Sequence, residues 1–402
     1  MMLRKIFFWL HLVSGVIAGL VIAIMSFTGA AIAFEKELVA WAESDARYVV
    51  PPGNASLRLP LNELLKNARA AQPEGKPTGI TLSANPNASV AIAFGREATY
   101  QVNPYNGAIL KPASTRMHDF MHLMEHWHRF LGFAGETTRP IGKAITGACN
   151  LAFLFLAVSG LYLWWPRNWS WRGVKALAVF NFRLTGKARD FNWHNSIGLW
   201  TAPLLIVLTL TAVPISYRWG NALVYRLTGT EPPAQGPGPN GAAPAIAVPT
   251  PATSAKPLSY DQLLAVAQNE FPNWSEISFR LGNAHGPGAN KGPRREGTPS
   301  SNDRARTPQA INLTVRTADQ WPLFSTTTLA LDPFTGTVLR KEVFAEQNAG
   351  RRLRAWTRFL HTGEALGWPG KLLAALASLG ALVLVWTGFA LTWRRFFRRA
   401  NK

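Results

Sequence analysis

Four long apolar runs constrain the fold of this chain more than any other feature of its 402 residues. They occupy residues 7–34, 144–165, 197–217 and 372–393. Each is about as long as the roughly 20 residues with which an α-helix crosses a hydrocarbon core of about 30 Å. We therefore predict an α-helical membrane protein with four transmembrane helices, over residues 7–34, 141–165, 193–217 and 369–393.

The first run also has features of a cleaved secretory signal. Basic residues precede it, and Ala31-Ile32-Ala33 resembles a cleavage site. Its apolar stretch is about twice as long as the roughly 7 to 15 residues of a signal peptide. We therefore predict an uncleaved membrane anchor.

Lysine and arginine residues predict the topology, because short cytoplasmic segments of membrane proteins are enriched in them. Three segments are basic, at residues 1–6, 166–192 and 394–402. We predict that these segments are cytoplasmic in a bacterial inner membrane, so that residues 35–140 and 218–368 lie in the periplasm. The formal net charge of +20 then reflects this topology and an affinity for anionic membrane lipid. No nucleic-acid-binding motif accompanies it, so nucleic acid is not an expected partner.

The sequence contains an internal two-fold repeat that aligns helix 1 with helix 3 and helix 2 with helix 4. The pattern H-x3-G opens both odd-numbered helices, and a threonine follows the histidine at the same interval in both, at Thr28 and Thr211. The even-numbered helices end alike in "SGLYLWW" and "TGFALTW". Each half is therefore expected to have the same architecture.

The two long segments between the helices repeat as well. The stretches "TYQVNPYNGAIL" (99–110) and "TLALDPFTGTVL" (328–339) each predict a strand, a turn and a second strand. A short amphipathic helix precedes each, at 59–71 and 260–271. We predict two small α+β domains, one in each half. Two inserts, 231–257 and 282–307, are too rich in Pro, Gly and Ala to pack, and we expect mobile loops there.

Four histidines take matching places in the two halves. His11 and His194 open helices 1 and 3, whereas His128 and His361 precede helices 2 and 4 by about ten to thirteen residues. A lone histidine at a membrane edge can simply reach the headgroups, but these four form one pair at each face. Two imidazoles from neighbouring helices are the axial ligands of a six-coordinate b-type haem, so we predict two b-type haems. The single cysteine, Cys149, excludes both a disulfide within the chain and the C-x-x-C-H motif of covalent haem attachment.

These stretches resemble a known family, the PepSY-associated transmembrane proteins. The similar stretches are "HLVSGVIAGLVIAIMSFTG", "EHWHRFLG", "CNLAFLFLAVSGLYLWWPR", "ARDFNWHNSIGLW", "RFLHTGEALGWPGKLL" and "WTGFALTWRR". The resemblance covers all four helices, and the segments between them look PepSY-like. Several members are described as ferric-siderophore reductases. The resemblance thus implies a dihaem inner-membrane protein with His11, His128, His194 and His361 at the motif positions.

A histidine-rich stretch, "MHDFMHLMEHWHR" at residues 117–129, precedes helix 2. On a helix, His118, His122 and His126 share one face, whereas His128 lies about 200° from His126. Glu125 is close to the face of His128, and we predict that it holds the second nitrogen of that ring. The stripe of three histidines is interpreted as a solvated or interfacial helix face. Its alternatives are a transient contact with iron or substrate, or a replacement for His128 as axial ligand.

The stretch His122-Leu-Met-Glu-His126 also matches the H-x-x-E-H motif of zinc peptidases. Such an enzyme needs a third zinc ligand and a substrate cleft in a sizeable soluble domain. The neighbouring predicted domain has only about 80 residues. A zinc peptidase is therefore the weaker hypothesis.

No glycine-rich dinucleotide-binding loop follows a strand, so the sequence predicts neither a flavin nor an NAD(P)H domain. Electrons would come from a separate donor, either a cytoplasmic reductase or a membrane quinol. We predict a transmembrane ferric-chelate reductase that passes electrons to a periplasmic acceptor, a ferric siderophore. The alternatives are a non-redox PepSY membrane regulator of a periplasmic protease and a siderophore permease accessory without redox chemistry.

Overall fold

The computed structural model describes residues 2–53, 57–95, 98–112, 114–166, 170–232, 246, 248, 256–281 and 309–397. The helices are α1 (Met2–Ile32), α2 (Glu35–Ala42), α3 (Ser44–Arg47), α4 (Leu61–Ala71), α5 (Arg116–Phe130), α6 (Arg139–Trp164), α7 (Trp171–Ala178), α8 (Gly186–Ser216), α9 (Arg218–Leu227), α10 (Tyr260–Glu270), α11 (Ala349–His361) and α12 (Gly367–Phe396). The strands are β1 (Gly79–Ser83), β2 (Val90–Phe94), β3 (Ala98–Val102), β4 (Ile109–Leu110), β5 (Trp274–Arg280), β6 (Ile311–Thr317), β7 (Thr327–Leu331) and β8 (Val338–Glu342). Most of the two predicted Pro/Gly-rich inserts lies outside the described residues.

The chain divides into two compact units. The helical unit consists of residues 1–39, 116–232 and 348–402, and the sheet unit consists of residues 40–115 and 233–347. Each unit is therefore built from segments of both halves of the sequence.

Four helices of the helical unit, α1, α6, α8 and α12, are long and apolar enough to cross a membrane. Their number and order agree with the sequence prediction. They form a closed ring, since α1 packs against α6 and α12, and α8 packs against the same two helices. Helices α1 and α8 therefore lie at opposite corners of a four-helix bundle.

Helix α8 begins at Gly186, seven residues before the predicted start at residue 193. The prediction followed the apolar run, and the charged residues before it indicated a loop. One of these, Asp190, is fully buried and accepts hydrogen bonds from Arg189 and Arg394, at 2.9 and 3.0 Å. Both oxygens of the carboxylate are paired, so its burial is tolerated. An unpaired charge buried at this position would strongly destabilise the helix.

The eight strands of the sheet unit form one antiparallel sheet in the order β4-β3-β2-β1-β5-β6-β7-β8. Alternate strand residues point to one face, where α4 and α10 cover them. The resulting core includes Ile80, Ile92, Ile277, Leu313 and Leu329, each at most 1 % exposed. This apolar face explains why the strands alternate in burial along their length.

The structure corrects the expectation of two separate small domains. Each half contributes a helix followed by four strands, but β1 of the first half pairs with β5 of the second along all five of its residues. In addition, the carboxylate of Asp261 on α10 accepts a hydrogen bond from the backbone N–H of Leu61 at the start of α4, at 3.0 Å. Left unpaired, β1 and β5 would each expose a row of hydrogen-bonding groups at a sheet edge. The pairing of the two halves in one sheet satisfies the backbone hydrogen-bonding groups of both strands.

The two predicted turns lie between β3 and β4 and between β7 and β8. In each, the backbone N–H of a glycine donates to a carbonyl four residues earlier, Gly107 to Asn103 and Gly336 to Asp332, both at 2.9 Å. The φ angles of these glycines are 72° and 73°, which residues with a Cβ rarely adopt. Both turns therefore form where the sequence predicted them.

Candidate functional site

His11 on α1 and His194 on α8 face each other across the bundle. Their ring centres are 6.5 Å apart, and the ring planes meet at 83°. Nδ1 of His11 lies 2.8 Å from Oγ of Ser159 on α6, and Nδ1 of His194 lies 2.9 Å from Oγ1 of Thr387 on α12. The Thr387 hydroxyl donates its own proton to the carbonyl of Val383, at 2.7 Å, so its oxygen accepts from the imidazole. Each of the four long helices thus contributes one side chain to this site.

A second pair consists of His128 on α5 and His361, the last residue of α11. Their ring centres are 6.3 Å apart, with an interplanar angle of 47°. Nδ1 of His128 lies 2.9 Å from the carbonyl oxygen of Met25 and 3.1 Å from Oγ1 of Thr28. Nδ1 of His361 lies 2.9 Å from the carbonyl oxygen of Leu208. Since a carbonyl can only accept, both Nδ1 atoms carry a proton.

These contacts fix the tautomer of the rings. In a neutral imidazole with its proton on Nδ1, Nε2 carries the lone pair that binds a metal. Burial, together with the unfavourable approach of two protonated rings, lowers the pKa of His128 to about 4, and burial also lowers the pKa of His361. Both rings are therefore neutral, which is the form that coordinates metals. Their Nδ1 atoms donate to backbone carbonyls, as the nitrogen that does not bind the metal usually does in metal-ligating histidines.

Glycines allow close backbone contacts beside the second histidine pair. The start of α6 packs against the residues that follow His128, and the start of α12 packs against the residues that follow His361. A Cβ on Gly370 would collide with the backbone oxygen of Gly363, and a Cβ on Gly142 would collide with the backbone oxygen of Phe130. Only glycine permits such a close approach between backbones. The two contacts are equivalent in the two halves, and they anchor the histidine-bearing helices to the bundle.

The spacing of both pairs fits coordination of one haem iron by two imidazoles. With metal–nitrogen bonds of about 2 Å and about 1 Å more from each nitrogen to its ring centre, imidazoles on opposite sides of one metal have ring centres about 6 Å apart. The separations of 6.5 and 6.3 Å agree with this value. Neutral nitrogen donors in pairs are also the ligand set of a b-type cytochrome.

Two indole N–H groups at the His11 end of the bundle strengthen this fit. Trp193 directly precedes His194, and Trp164 is the last residue of α6. Both Nε1 atoms are buried and have no hydrogen-bond partner within the described residues. Buried donors of this kind need an acceptor, and the propionate groups of a haem would supply one.

The histidine stripe lies on α5. His118 and His122 are exposed, whereas His126 is partly buried beside Phe130, with ring centres 5.5 Å apart. In the part of the chain that the structure describes, no group of three or more His, Cys, Asp or Glu side chains is placed to hold a metal ion. The H-x-x-E-H stretch therefore lacks, within that part, the third ligand of a zinc peptidase.

The structure corrects the predicted role of Glu125. Its Oε1 accepts a hydrogen bond from Arg129, one turn later, at 2.7 Å. Nδ1 of His128 is held by the backbone of α1, at the carbonyl of Met25. The prediction used spacing within one helix, which cannot reveal an acceptor on a neighbouring helix.

Sequence reasoning also missed the groups that hold the four rings. Ser159 and Thr387 stand in the same place in both halves, directly before a glycine, so the repeat contained a signal for them. Met25 and Leu208 are equivalent too, because each follows the first histidine of its half at the same interval. They act through backbone carbonyls, which leave no trace in the sequence.

One known protein family matches almost the whole chain. The model of the family described as "PepSY-associated TM region" matches residues 8–395. This range contains all four paired histidines and the whole of the sheet unit. A search of curated proteins found no match.

Proposed function

The chain belongs to the PepSY-associated TM family, and we propose that it is a b-type dihaem protein that carries electrons across the inner membrane to a ferric siderophore. The His11–His194 pair would hold one haem, and the His128–His361 pair would hold the other. A haem iron between two imidazoles supplies one-electron exchange between iron(III) and iron(II). The protein would thus act as a transmembrane ferric-chelate reductase.

The matched geometry of the two histidine pairs carries this proposal. In each pair the rings come from different helices, and their ring centres stand at the separation expected for two imidazoles bound to one metal ion. The Nδ1 atom of every ring is hydrogen-bonded to an oxygen. Such an arrangement costs conformational freedom at four positions. A structural role for the histidines would not require it twice.

The two pairs are well separated along the bundle. On α1, Met25 beside the second pair lies several turns after His11, and on α8, Leu208 lies at the same interval after His194. At a rise of about 1.5 Å per residue, the pairs lie about 21 Å apart along the helix axis. Two centres at this spacing would divide the crossing of a hydrocarbon core of about 30 Å into shorter electron-transfer steps.

The bundle core between the pairs is small and apolar. One of its apolar clusters consists of Ala157, Leu205, Ala377 and Ala381, each at most 8 % exposed. None of these four side chains can bind a proton, so this cluster provides no step of a proton path.

The distribution of basic residues supports the orientation. Arg4 and Lys5 lie at the start of α1, and Arg394 and Arg395 lie at the end of α12. By the positive-inside rule, both termini and the His11–His194 pair are cytoplasmic. The segments that build the sheet unit then leave the membrane on the periplasmic side.

A ferric siderophore suits the proposed chemistry. Its iron(III) is held by hard oxygen donors, and one electron reduces it to iron(II). The lower charge weakens the iron–oxygen bonds, so that iron is released from the chelate. The donor of the electron is a cytoplasmic reductase or a membrane quinol.

A dithionite-reduced minus oxidised absorption spectrum of the purified protein tests the haem proposal. The expected result is a b-type α band with about two haems per chain. A spectrum without that band, together with normal folding, would defeat the proposal and leave the non-redox regulator. Zinc bound at one atom per chain would instead favour the peptidase.

The acceptor requires a second experiment. Protein reduced under anaerobic conditions is mixed with a ferric trihydroxamate, and haem reoxidation and iron(II) release are followed by absorption. The gallium(III) chelate of the same siderophore is the matched control, because it has the same charge and shape but cannot be reduced. Reoxidation by the ferric chelate alone is expected. Haem that stays reduced with both chelates would refute the hypothesis that a ferric siderophore is the electron acceptor.

A further inference from the structure

A groove of about 530 Å³ lies between α1 and α12, in the half of the bundle that contains the His11–His194 pair. Val16 lines it from α1, and Trp386, Phe389, Trp393 and Arg394 are among the residues that line it from α12. This volume falls in the range of ligand sites, about 300 to 1,000 Å³. The groove is therefore large enough to hold the ring of a small organic molecule and part of a chain.

The groove opens towards lipid. Trp386, Phe389 and Trp393 are 46, 38 and 60 % exposed, although they belong to a helix that can span a membrane. In a bilayer these faces contact hydrocarbon. A molecule dissolved in the membrane can thus enter sideways, whereas a water-soluble protein has no access to these side chains.

The end of the groove towards the C-terminus of α12 is polar. Arg394 lies there, and its Nε donates to the fully buried carboxylate of Asp190 at 3.0 Å. This bond fixes the guanidinium and uses only one of its five N–H donors. Arg394 lines the groove, and the N–H groups on its two Nη atoms remain for another oxygen acceptor.

Aromatic rings connect the groove with the first histidine pair. Trp386 directly precedes Thr387, whose hydroxyl holds Nδ1 of His194. The Trp386 ring is 6.4 Å from the ring of Trp193, which is the neighbour of His194 in the chain. The guanidinium of Arg189 lies over both indoles, at 5.2 and 5.6 Å. An electron donor in the groove would therefore be connected with the histidine site through two neighbouring indoles, those of Trp386 and Trp193.

We propose that this groove binds a membrane quinol, which is the electron donor of the proposed function; the inference rests on that function. A quinol combines an apolar tail with a ring that carries two oxygens, and the groove combines apolar walls with a fixed guanidinium. Oxidation of one quinol to quinone releases two electrons and two protons. The two bound haems would take one electron each, as iron(III) becomes iron(II), and the two protons would leave to the cytoplasmic solvent.

Quinone binding can be measured without any redox reaction. Trp386 and Trp393 line the groove, so bound decylubiquinone should quench part of the tryptophan fluorescence in a saturable way. Ala390→Phe places a ring in the groove and should weaken this binding about tenfold or more, which is about 1.4 kcal/mol. Ala148→Phe, at an exposed position of α6, is the matched control and should bind as the unchanged protein does. Quenching that never saturates would show that the groove holds only lipid chains, and would overturn the proposal.

Reduction kinetics provide the second test. Decylubiquinol should reduce the haems of the unchanged protein and of Ala148→Phe at similar rates, and those of Ala390→Phe about tenfold more slowly. Dithionite, a small water-soluble reductant, should reduce all three alike. Loss of haem from Ala390→Phe would mean that the groove belongs to the haem pocket, and equal quinol rates would mean that the donor binds elsewhere; either result overturns the proposal. A protein without haem would refute the proposed function, while the fluorescence experiment would still decide whether quinone binds.

Discussion

Replacing His361 with alanine removes one ring of the His128–His361 pair and leaves the His11–His194 pair intact. The two pairs are about 21 Å apart along the helix axis, which follows from the positions of His11 and Met25 on α1 and a rise of about 1.5 Å per residue. Substitutions more than about 7 to 10 Å apart usually act independently. We therefore expect low-spin haem to fall from about two to about one per chain, and no further.

The assay combines haem content with electron paramagnetic resonance of the oxidised protein. The ring planes meet at 83° in the His11–His194 pair and at 47° in the His128–His361 pair. On a bound haem iron, the first angle would make two d orbitals nearly equal in energy, and the second would separate them further. The two haems should therefore give distinct low-spin signals, the more anisotropic one from the His11–His194 pair. His361→Ala should remove the less anisotropic signal, and His11→Ala should remove the other.

His122→Ala is the matched control, because His122 lies on α5, like His128, but is exposed. It should retain both signals. Loss of both signals from His361→Ala, in protein that still folds, would refute independent centres. Retention of both would refute the assignment of His361 as a ligand.

Four further predictions concern the surroundings of these centres. Thr387→Val removes the hydroxyl acceptor of Nδ1 of His194 and leaves the ring the backbone carbonyl of Leu384 as a hydrogen-bond partner, so that ring becomes a weaker electron donor. The midpoint potential of the haem that it would hold should rise, while that of the other haem stays constant, in a spectroelectrochemical titration. Glu125→Gln should leave haem content unchanged, since Glu125 pairs with Arg129 at the surface and such pairs contribute at most about 1 kcal/mol; haem loss would contradict this. Leu313→Ala, at a fully buried position of the sheet, should cost about 2 to 5 kcal/mol of unfolding free energy in that unit and leave the haem spectrum at room temperature intact. Burial and the Glu125 carboxylate raise the pKa of Glu35. The ionised form of Glu35 therefore destabilises the fold at pH 7, and this destabilisation disappears as the pH falls and the carboxylate is protonated. Glu35→Gln should raise the thermal midpoint more at pH 7 than at pH 4.

The sequence was most informative where a physical constraint acts on a single segment. The four long helices followed from uninterrupted apolar runs, and both glycine turns of the sheet followed from their local residue pattern. The start of α8 was predicted too late, because its charged first turn becomes compatible with burial only through Arg394, which is distant in the sequence. Local patterns cannot reveal such a partner.

The remaining differences have the same cause. The pairing of β1 with β5 joins strands from the two halves, and either strand alone also fits the edge of a separate domain. The carbonyl of Met25, which holds His128, is a backbone group that any residue could provide. The repeat could indicate which histidines correspond, but only the packing of the helices identifies what holds each ring.

The pairing of β1 with β5 also determines when the sheet can form during synthesis. β1 begins at Gly79 and β5 begins at Trp274, so nearly half of the chain is made between them. At about 5 to 20 residues per second, the first four strands wait about 10 to 40 s for their partner, while two transmembrane helices are inserted. During that interval β1 is an open edge, to which a strand of another chain could add. Synthesis of this protein therefore leaves a period in which the newly made chain is exposed to aggregation at the edge of β1.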